Sequence, residues 1–445
     1  MLAVLGVGIV SCGGSKSASN KHKVSGLKFR AFVSNPLFPS GAANAPVINI
    51  VDALQDIVSV STIGLLGESS QPGIMVVTPD LSRTMVFSPT GNTISVLDNR
   101  TEAIAQIAGS STNVPTITLP GYSESMFIAK DNATAYAAVP SALVTGQSPG
   151  AVVAMDLGTG AVTATIPVPA AHFIVGSPDG THILVFSDGS DDVTVISTAL
   201  IGQSNQVTTT VAGFDRPVWA IFFDNSDAYV FNCGPECGGS SAGVTTYTLG
   251  ISGHGPVTAL SGATYALLNG GNLYVAGTPP HTRCPAGTAA ETCGTLSIVE
   301  VSSLARINPS PILITDGYHD RMQMGANGQL FIGAHSCTSI NVSGGEVRGC
   351  LSIVNTLNSK VVIPPQTGDA TGIQPITGRT IVYVCQGGSF QIYDTRTDQL
   401  FVPPFNNNGF GITQTDQVVG QSFDVKLVDP PTSCSGTNSP ATCLP

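Results

Sequence analysis

The chain has 445 residues, 10% of them charged, and its formal net charge of −11 gives an isoelectric point near 4.9. A hydrophobic fraction of 42% and a mean hydropathy of +0.27 exclude an intrinsically disordered chain. The acidic balance excludes the basic stripe that a nucleic-acid backbone requires of its partner. Short runs of Val, Ile, Thr, Phe and Tyr recur between Gly, Pro, Asn and Asp turns, which predicts an all-β protein.

The first element in chain order is the apolar run MLAVLGVGIV. It is too short for a membrane-spanning helix, which needs ~20 residues, and is typical of the hydrophobic region of a signal peptide. The segment Ile9-Val10-Ser11-Cys12 at its end resembles the lipobox of bacterial lipoproteins, in which the cysteine carries the lipid. The alternative is that Cys12 is buried in an apolar strand.

The lipobox predicts a signal peptide over residues 1–12 and a flexible tether over residues 13–28, where GGSKSASNKHK is polar and contains glycine. Gly13 after the cysteine resembles lipoproteins that move on to the outer membrane. We therefore expect an exported protein of the bacterial cell envelope, either an outer-membrane lipoprotein or a protein of the cell surface or periplasm. Its contact with the membrane would be the lipid on Cys12.

Strand-forming runs recur along the rest of the chain roughly every 50 residues, the spacing of a propeller blade. The eight strongest are RAFVSN (30–35), TMVFSP (84–89), TAYAAVP (134–140), HILVFS (182–187), AYVFNC (228–233), NLYVAG (272–277), QLFIGAH (329–335) and TIVYVCQ (380–386). Each is followed after a loop by a partner such as ISVLDN or FQIYDT. Most positions are apolar, as expected where both faces of a four-stranded blade pack on neighbouring blades.

The two ends of this repeat array predict a closed ring. The first unit has no first strand of its own, and the run QSFDVKLVD (421–429) has no blade of its own. We expect the C-terminal run to supply the missing strand, which would leave no open sheet edge. A closed β-propeller of about eight four-stranded blades would then span residues 29–429, with a tail over residues 430–445. Seven blades would follow if one hairpin were an insertion.

Several segments carry a shared turn-and-strand motif. They are Thr78-Pro79-Asp80, Ser177-Pro178-Asp179-Gly180, Ile94-Ser95-Val96-Leu97-Asp98 with the downstream TEAIAQI, and GAVVAMDLGTGAVTATIPV. The motif resembles YVTN-type repeats, the surface-layer-like class of bacterial extracytoplasmic propellers. The resemblance is best in blades 2 to 4, whereas blades 5 to 7 depart from it through insertions that contain cysteine. It implies a fold and no particular activity, because propellers include binders, scaffolds and enzymes.

The ten cysteines of the chain predict four disulfides between sequence neighbours, with Cys12 lipidated and Cys385 left as a buried free thiol. The predicted pairs are Cys233–Cys237, Cys284–Cys293, Cys337–Cys350 and Cys434–Cys443. Metal binding is the alternative, but no C-x2-C pair, finger-spaced histidine or haem motif occurs. We therefore predict neither a metal nor a cofactor.

Functional groups of propellers usually gather at one mouth of the central channel, where the first strand of each blade begins. The residues at those positions are Gln71, Glu124, His172, Asp215, Arg216, Trp219, His319, Asp320, Arg321, Asp369 and Gln421. His172 and His319 with the nearby carboxylates could bind a divalent metal, or one histidine could act as a base. The alternative is that these groups only satisfy each other. Trp219 is the only tryptophan, so no aromatic platform for sugars is evident.

Two classes of function follow, and the sequence favours the first. It is a non-catalytic lipoprotein whose enlarged loops at 233–243, 278–294 and 336–350 present a binding face to an extracellular protein or glycan. No nucleophile elbow, zinc-protease helix or phosphate-binding glycine loop occurs. The alternative is a channel-mouth enzyme similar to propeller lactonases or metal-dependent hydrolases, with His172, Glu124, His319, Asp320 and Arg321 around the site.

Overall fold

A computed structural model describes residues 24–40, 43–65, 71–106, 116–203, 207–280, 282, 284, 287–400 and 418–430. Eight antiparallel sheets form the blades of a β-propeller, as the sequence predicts. The described helices are single 3-10 turns, Thr198–Leu200, Gly234–Cys237, Ala290–Thr292 and Ala326–Gly328. None of the helices in this part of the chain has the length and apolar character needed to cross a membrane.

The strands follow the chain blade by blade. Blade 1 contains β1 (Arg30–Ser40), β2 (Ala43–Asp52) and β3 (Ile57–Gly64), and blade 2 contains β4 (Met75–Val77), β5 (Arg83–Ser88), β6 (Thr93–Asp98), β7 (Ala103–Ile104) and β8 (Thr116–Thr118). Blade 3 contains β9 (Ser125–Ile128), β10 (Thr134–Val139), β11 (Ala151–Asp156) and β12 (Ala161–Pro167), and blade 4 contains β13 (Ala171–Gly176), β14 (His182–Ser187), β15 (Asp192–Ser197) and β16 (Thr208–Ala212).

The second half of the ring repeats this order. Blade 5 contains β17 (Pro217–Phe222), β18 (Asp227–Asn232), β19 (Gly243–Thr248) and β20 (Thr258–Ala259), and blade 6 contains β21 (Tyr265–Asn269), β22 (Asn272–Gly277), β23 (Gly294–Glu300) and β24 (Ile312–Ile314). Blade 7 contains β25 (Tyr318–Met324), β26 (Gln329–His335), the inserted hairpin β27 (Ile340–Asn341) and β28 (Val347–Arg348), then β29 (Leu351–Asn355) and β30 (Val361–Val362). Blade 8 contains β31 (Ala370–Pro375), β32 (Ile381–Gln386), β33 (Ser389–Asp394) and β34 (Gln399–Leu400), and β35 (Val425–Leu427) follows.

We name the strands of each blade a to d from the central channel outward. Neighbouring strands are antiparallel, so every strand a begins, and every strand b ends, on the same face of the ring. We call this the mouth face, and it also carries the loops between strands b and c. The far face carries the turns between a and b and between c and d. This alternation decides which side chains of distant blades can meet.

The apolar strands are explained by packing between blades. In β14, Ile183, Leu184 and Val185 are consecutive and all completely buried, because side chains on both faces of the sheet contact a neighbouring blade. The a–b turn before this strand uses Gly180 at a φ of +76°, a left-handed conformation that glycine adopts without steric cost. The Asp179 carboxylate accepts hydrogen bonds from residues on either side of that turn. The motif TPD/SPDG therefore has a structural role on the far face.

The ring is closed as predicted, by the C-terminal strand. β35 pairs with β1 through Ala31 opposite Leu427 and Val33 opposite Val425, so it is strand a of blade 1. On the far face the Arg30 guanidinium binds Asp429 at 2.7 Å and Glu102 of blade 2 at 2.8 Å. The two ends of the repeat array are thus joined by backbone pairing and by a largely buried ionic network.

Candidate ligand site at the channel mouth

The central channel contains a cavity of about 850 Å³ that is lined by strand a, or the residues just before it, of all eight blades. A side recess of about 230 Å³ adjoins it on the mouth face. The two share Glu124, Phe173, Val218, Tyr318 and His335 in their walls. Together they form one open site at the mouth.

An aromatic wall, formed by Phe173, Trp219 and Tyr265, lines one side of the channel. These residues come from strand a of blades 4, 5 and 6, which are consecutive around the ring. The Phe173 and Trp219 rings meet edge to face at 6.3 Å, and the Trp219 and Tyr265 rings lie 4.9 Å apart at 31°. The single tryptophan gave no sign of this platform in the sequence, although all three residues occupy equivalent positions in their repeats.

His172 lies between two carboxylates at the edge of the recess. Its Nδ1 is 2.6 Å from Asp188 and its Nε2 is 2.9 Å from Glu124. Burial lowers the pKa of His172, but the hydrogen bonds to Asp188 and Glu124 outweigh it and raise the pKa to about 9. At neutral pH the imidazolium donates both N–H groups, so it has no lone pair for a metal ion or for proton abstraction.

Glu124 is held in its charged form by the same contact. The hydrogen bond from His172 lowers the pKa of Glu124, and the hydroxyl of Tyr122 donates a further bond at 3.0 Å. Burial and the Glu124 charge raise the pKa of Tyr122 to about 12. Around neutral pH, Glu124 is therefore a carboxylate, His172 an imidazolium and Tyr122 a neutral phenol.

A second polar group lies across the mouth in blade 7. Asp320 is 3.8 Å from the Arg321 guanidinium and 3.6 Å from Nδ1 of His335, whose ring lies 5.1 Å from that of Tyr318. The contact with Asp320 raises the pKa of His335. Sequence reasoning missed His335 because it ends strand b, whereas only the starts of strand a were considered.

His319 does not reach the mouth, so its predicted place there is wrong. The side chain is completely buried and its Nε2 lies 3.1 Å from the carbonyl oxygen of Thr315. Burial lowers its pKa to about 4. A register shift in β25 between His319 and Arg321 explains the difference, because Asp320 and Arg321 both line the channel while His319 points between blades.

The two predicted histidines therefore do not converge on one ion. Within the described ranges, no three His, Cys, Asp or Glu side chains are grouped as metal ligands. Asp369 lines the channel and accepts a bond from the Ser336 amide. Asp215 is capped by the amides of Ser240 and Ser241 in its own blade.

The remaining predicted positions at the mouth contribute less. Arg216 lines only the side recess and lies 3.7 Å from Asp191. Gln71 and Gln421 are exposed and lie outside both cavities.

Three disulfides brace the b–c loops of blades 5, 6 and 7 on the mouth face. They are Cys233–Cys237, Cys284–Cys293 and Cys337–Cys350. The fourth predicted pair, Cys434–Cys443, and the predicted lipidation site Cys12 lie outside the described residues. Cys385 is a completely buried free thiol whose pKa is raised by burial.

Hydrogen bonds join these braced loops into a continuous ridge, which we call the crest. The carboxylate of Glu236 in blade 5 accepts a bond from the amide of Thr278 in blade 6 at 2.8 Å. The Thr278 hydroxyl donates to the carbonyl oxygen of Gly317 at the start of blade 7. Asp316 then accepts two bonds from Thr338 beside the third disulfide. The crest is therefore a fixed wall beside the channel mouth.

Comparisons with known proteins support the fold. No family model and no curated protein matches the sequence. The structure of NirN, a dihydro-heme d1 dehydrogenase, matches 90% of this chain and 75% of its own with a TM-score of 0.61 at 10% identity. Hydrazine synthase of Kuenenia stuttgartiensis matches 75% of this chain and 98% of its own with a TM-score of 0.51 at 16% identity.

A third similar structure is the periplasmic gluconolactonase PpgL of Pseudomonas aeruginosa. It matches 90% of this chain and 98% of its own with a TM-score of 0.45 at 15% identity. The first two similarities, with TM-scores of 0.61 and 0.51, support the β-propeller fold and, at 10% and 16% identity, indicate no activity.

Proposed function

We propose that the protein is a non-catalytic binding protein of the bacterial cell envelope that takes its ligand at the channel mouth, beside the crest. The observation that carries this proposal is a preformed cavity with an aromatic wall on one side and a disulfide-braced ridge above it. Its volume lies within the ~300–1,000 Å³ of small-molecule sites. A rigid wall lowers the entropy that binding must overcome.

The protonation states at the mouth support binding over catalysis. His172 is an imidazolium bound on both sides, and His319 is buried away from the channel. Neither can accept a proton from a substrate in the channel. The sequence hypothesis of an enzyme that uses these two histidines therefore has no support from their geometry.

The first described residues join the propeller on the far face. The amide and hydroxyl of Ser25 both bind Glu102, which follows strand c of blade 2 and so lies on the far face. A lipid on Cys12 would be tethered to the propeller from that face. Three disulfides and the resemblance to YVTN-type repeats support export to an oxidising compartment.

A second candidate function rests on His335. Its Nδ1 contacts Asp320, and among the described residues no partner binds its Nε2. A histidine oriented by a carboxylate is the usual arrangement of a general base. A lactonase-like or ester-hydrolysing activity would therefore use His335 and Asp320, and the variant His335→Ala would abolish it.

The proposal is tested by binding and turnover measurements on the full chain in detergent. We expect a ligand from a glycan array or small-molecule panel to bind, and lactone and ester hydrolysis to stay at the buffer rate. The variant Val218→Tyr, at a position that lines both cavities, should abolish binding. The matched control Leu357→Tyr, exposed on the far face, should retain it. Hydrolysis that disappears in His335→Ala would overturn the proposal in favour of the enzyme.

A further inference from the structure

The composition of the channel wall points to a particular class of ligand. We infer that the mouth binds a neutral saccharide, with a sugar ring stacked on the aromatic wall of Phe173, Trp219 and Tyr265. This inference rests on the binding function proposed above and specifies its ligand.

The aromatic wall supplies the apolar part of such a site. Each of the three residues is partly exposed and lines the channel, and one face of the Phe173 ring is stacked on His172 at 4.2 Å. The rings follow one another across blades 4, 5 and 6 at interplanar angles of 86° and 31°, so they offer separate aromatic surfaces to a ligand. The C–H face of a pyranose is flat and apolar, and it matches such a surface while its hydroxyls remain free at the edge.

Most charged groups of the channel wall are already paired within the protein. Arg321 lines the channel among the aromatic residues and is paired with Asp320, so its positive charge is matched by a carboxylate. An anion would face Glu124, Asp320 and Asp369. Each of these carboxylates already accepts a hydrogen bond or an ion pair from the protein. Glu124 and Asp320 are thus paired with cationic groups, whereas Asp369 is bound by a neutral amide, and the choline titration below tests whether a cation is preferred.

The polar side chains of the channel wall suit a ligand with hydroxyl groups, which both donate and accept hydrogen bonds. Arg321 carries donors, and the carboxylate of Glu124 supplies acceptor lone pairs at the channel wall.

Trp219 is the only tryptophan in the chain and belongs to the proposed contact, so its fluorescence reports directly on the site. The full chain in detergent is titrated with glucose, galactose, mannose, N-acetylglucosamine, cellobiose and maltose, and in parallel with gluconate and choline. We expect a saturable change of emission with at least one neutral sugar and none with the two ions. The variant Trp219→Phe confirms that the signal comes from this residue.

Variants of Tyr265 separate stacking from folding. Tyr265→Phe retains the ring and should retain binding, whereas Tyr265→Leu retains apolar volume without a ring and should weaken binding roughly tenfold. The control Phe223→Ala removes an exposed ring on the far face and should leave the affinity unchanged. Equal affinities of Tyr265→Leu and the wild type would overturn the stacking geometry.

The outcomes distinguish the two proposals. A response to choline or gluconate alone, or no response to any neutral sugar, overturns the saccharide inference. If another ligand of the panel still binds and Val218→Tyr abolishes that binding, the binding function stands and only its ligand class is wrong. If nothing binds and His335-dependent hydrolysis is found, both proposals are wrong.

Discussion

His172 in β13 and Asp188, which directly follows β14 in blade 4, are joined by a 2.6 Å contact between Nδ1 and Oδ1. The contact helps to keep the one histidine that the sequence places correctly at the mouth protonated at neutral pH. Glu124 of blade 3 completes the clamp on the other nitrogen. A residue that looked like a catalytic base in the sequence is thus a structural and electrostatic element of the wall.

Removing one carboxylate should restore an ordinary histidine. In the wild type we expect the pKa of His172 to be about 9, above its ordinary value of 6.5. Asp188→Asn should lower this pKa toward 6.5, which NMR titration of the imidazole measures. A wild-type pKa near 6.5 would contradict the assignment.

The raised pKa of His172 also determines how the contribution of this clamp to folding stability changes with pH. Below about pH 6.5 the imidazole is protonated in both folded and unfolded chains, and the contribution of the clamp is fully present. As the pH rises toward 9 the unfolded chain loses this proton first, so the contribution falls. The stability difference between wild type and Asp188→Asn should therefore decrease over this range.

His319 should change the pH dependence of folding stability in the direction opposite to that of His172. Burial lowers its pKa to about 4, so between pH 6.5 and 4 the unfolded chain binds a proton that the folded chain does not. Stability should therefore decrease as the pH falls through this range. His319→Met should reduce this acid sensitivity, and unfolding midpoints measured at several pH values test it. An unchanged pH profile in the variant would show that other groups cause the acid sensitivity.

The ionic network that closes the ring should contribute strongly to stability. Asp429→Ala would leave the Arg30 guanidinium, only 8% exposed, without its bidentate partner. Arg30 keeps its ion pair with Glu102, so we expect a loss of about 2–3 kcal/mol of unfolding free energy in urea titrations. The control Arg396→Ala breaks a pair whose arginine side chain is 63% exposed, so solvent screens it and the loss should be much smaller. Equal losses in the two variants would argue against the burial of the closing network.

The disulfides of the crest should differ in their effect on stability. The bond Cys337–Cys350 spans 13 positions and Cys233–Cys237 spans four. In the loop-entropy model the first should stabilise by about 3 kcal/mol and the second by about 2 kcal/mol. Paired Cys→Ser variants compared by equilibrium unfolding measure both stabilities.

Peptide mapping without reduction should show a free Cys385, and a link from Cys385 to any crest cysteine would contradict the pairing.

The crest shows what local sequence can predict. Cys284 and Cys293, like Cys337 and Cys350, flank loops between strands b and c, and cysteines close in sequence at the base of one loop have few other partners. The hydrogen bonds that join these loops to each other could not be predicted. They depend on the angle between blades, as the contact between Glu236 and Thr278 illustrates.

The sequence alone determined the architecture, because a blade is built from local hairpins and the repeat of apolar runs from RAFVSN to TIVYVCQ records them directly. It also determined the ring closure, since β35 had no partner of its own and β1 lacked a neighbour. Tertiary structure decided the site. A shift of one residue in β25 turned His319 into the core and Arg321 into the channel. The curvature of the ring of blades brought Phe173, Trp219 and Tyr265 together across about 90 positions of sequence. No local pattern predicts this proximity, because it depends on packing between blades.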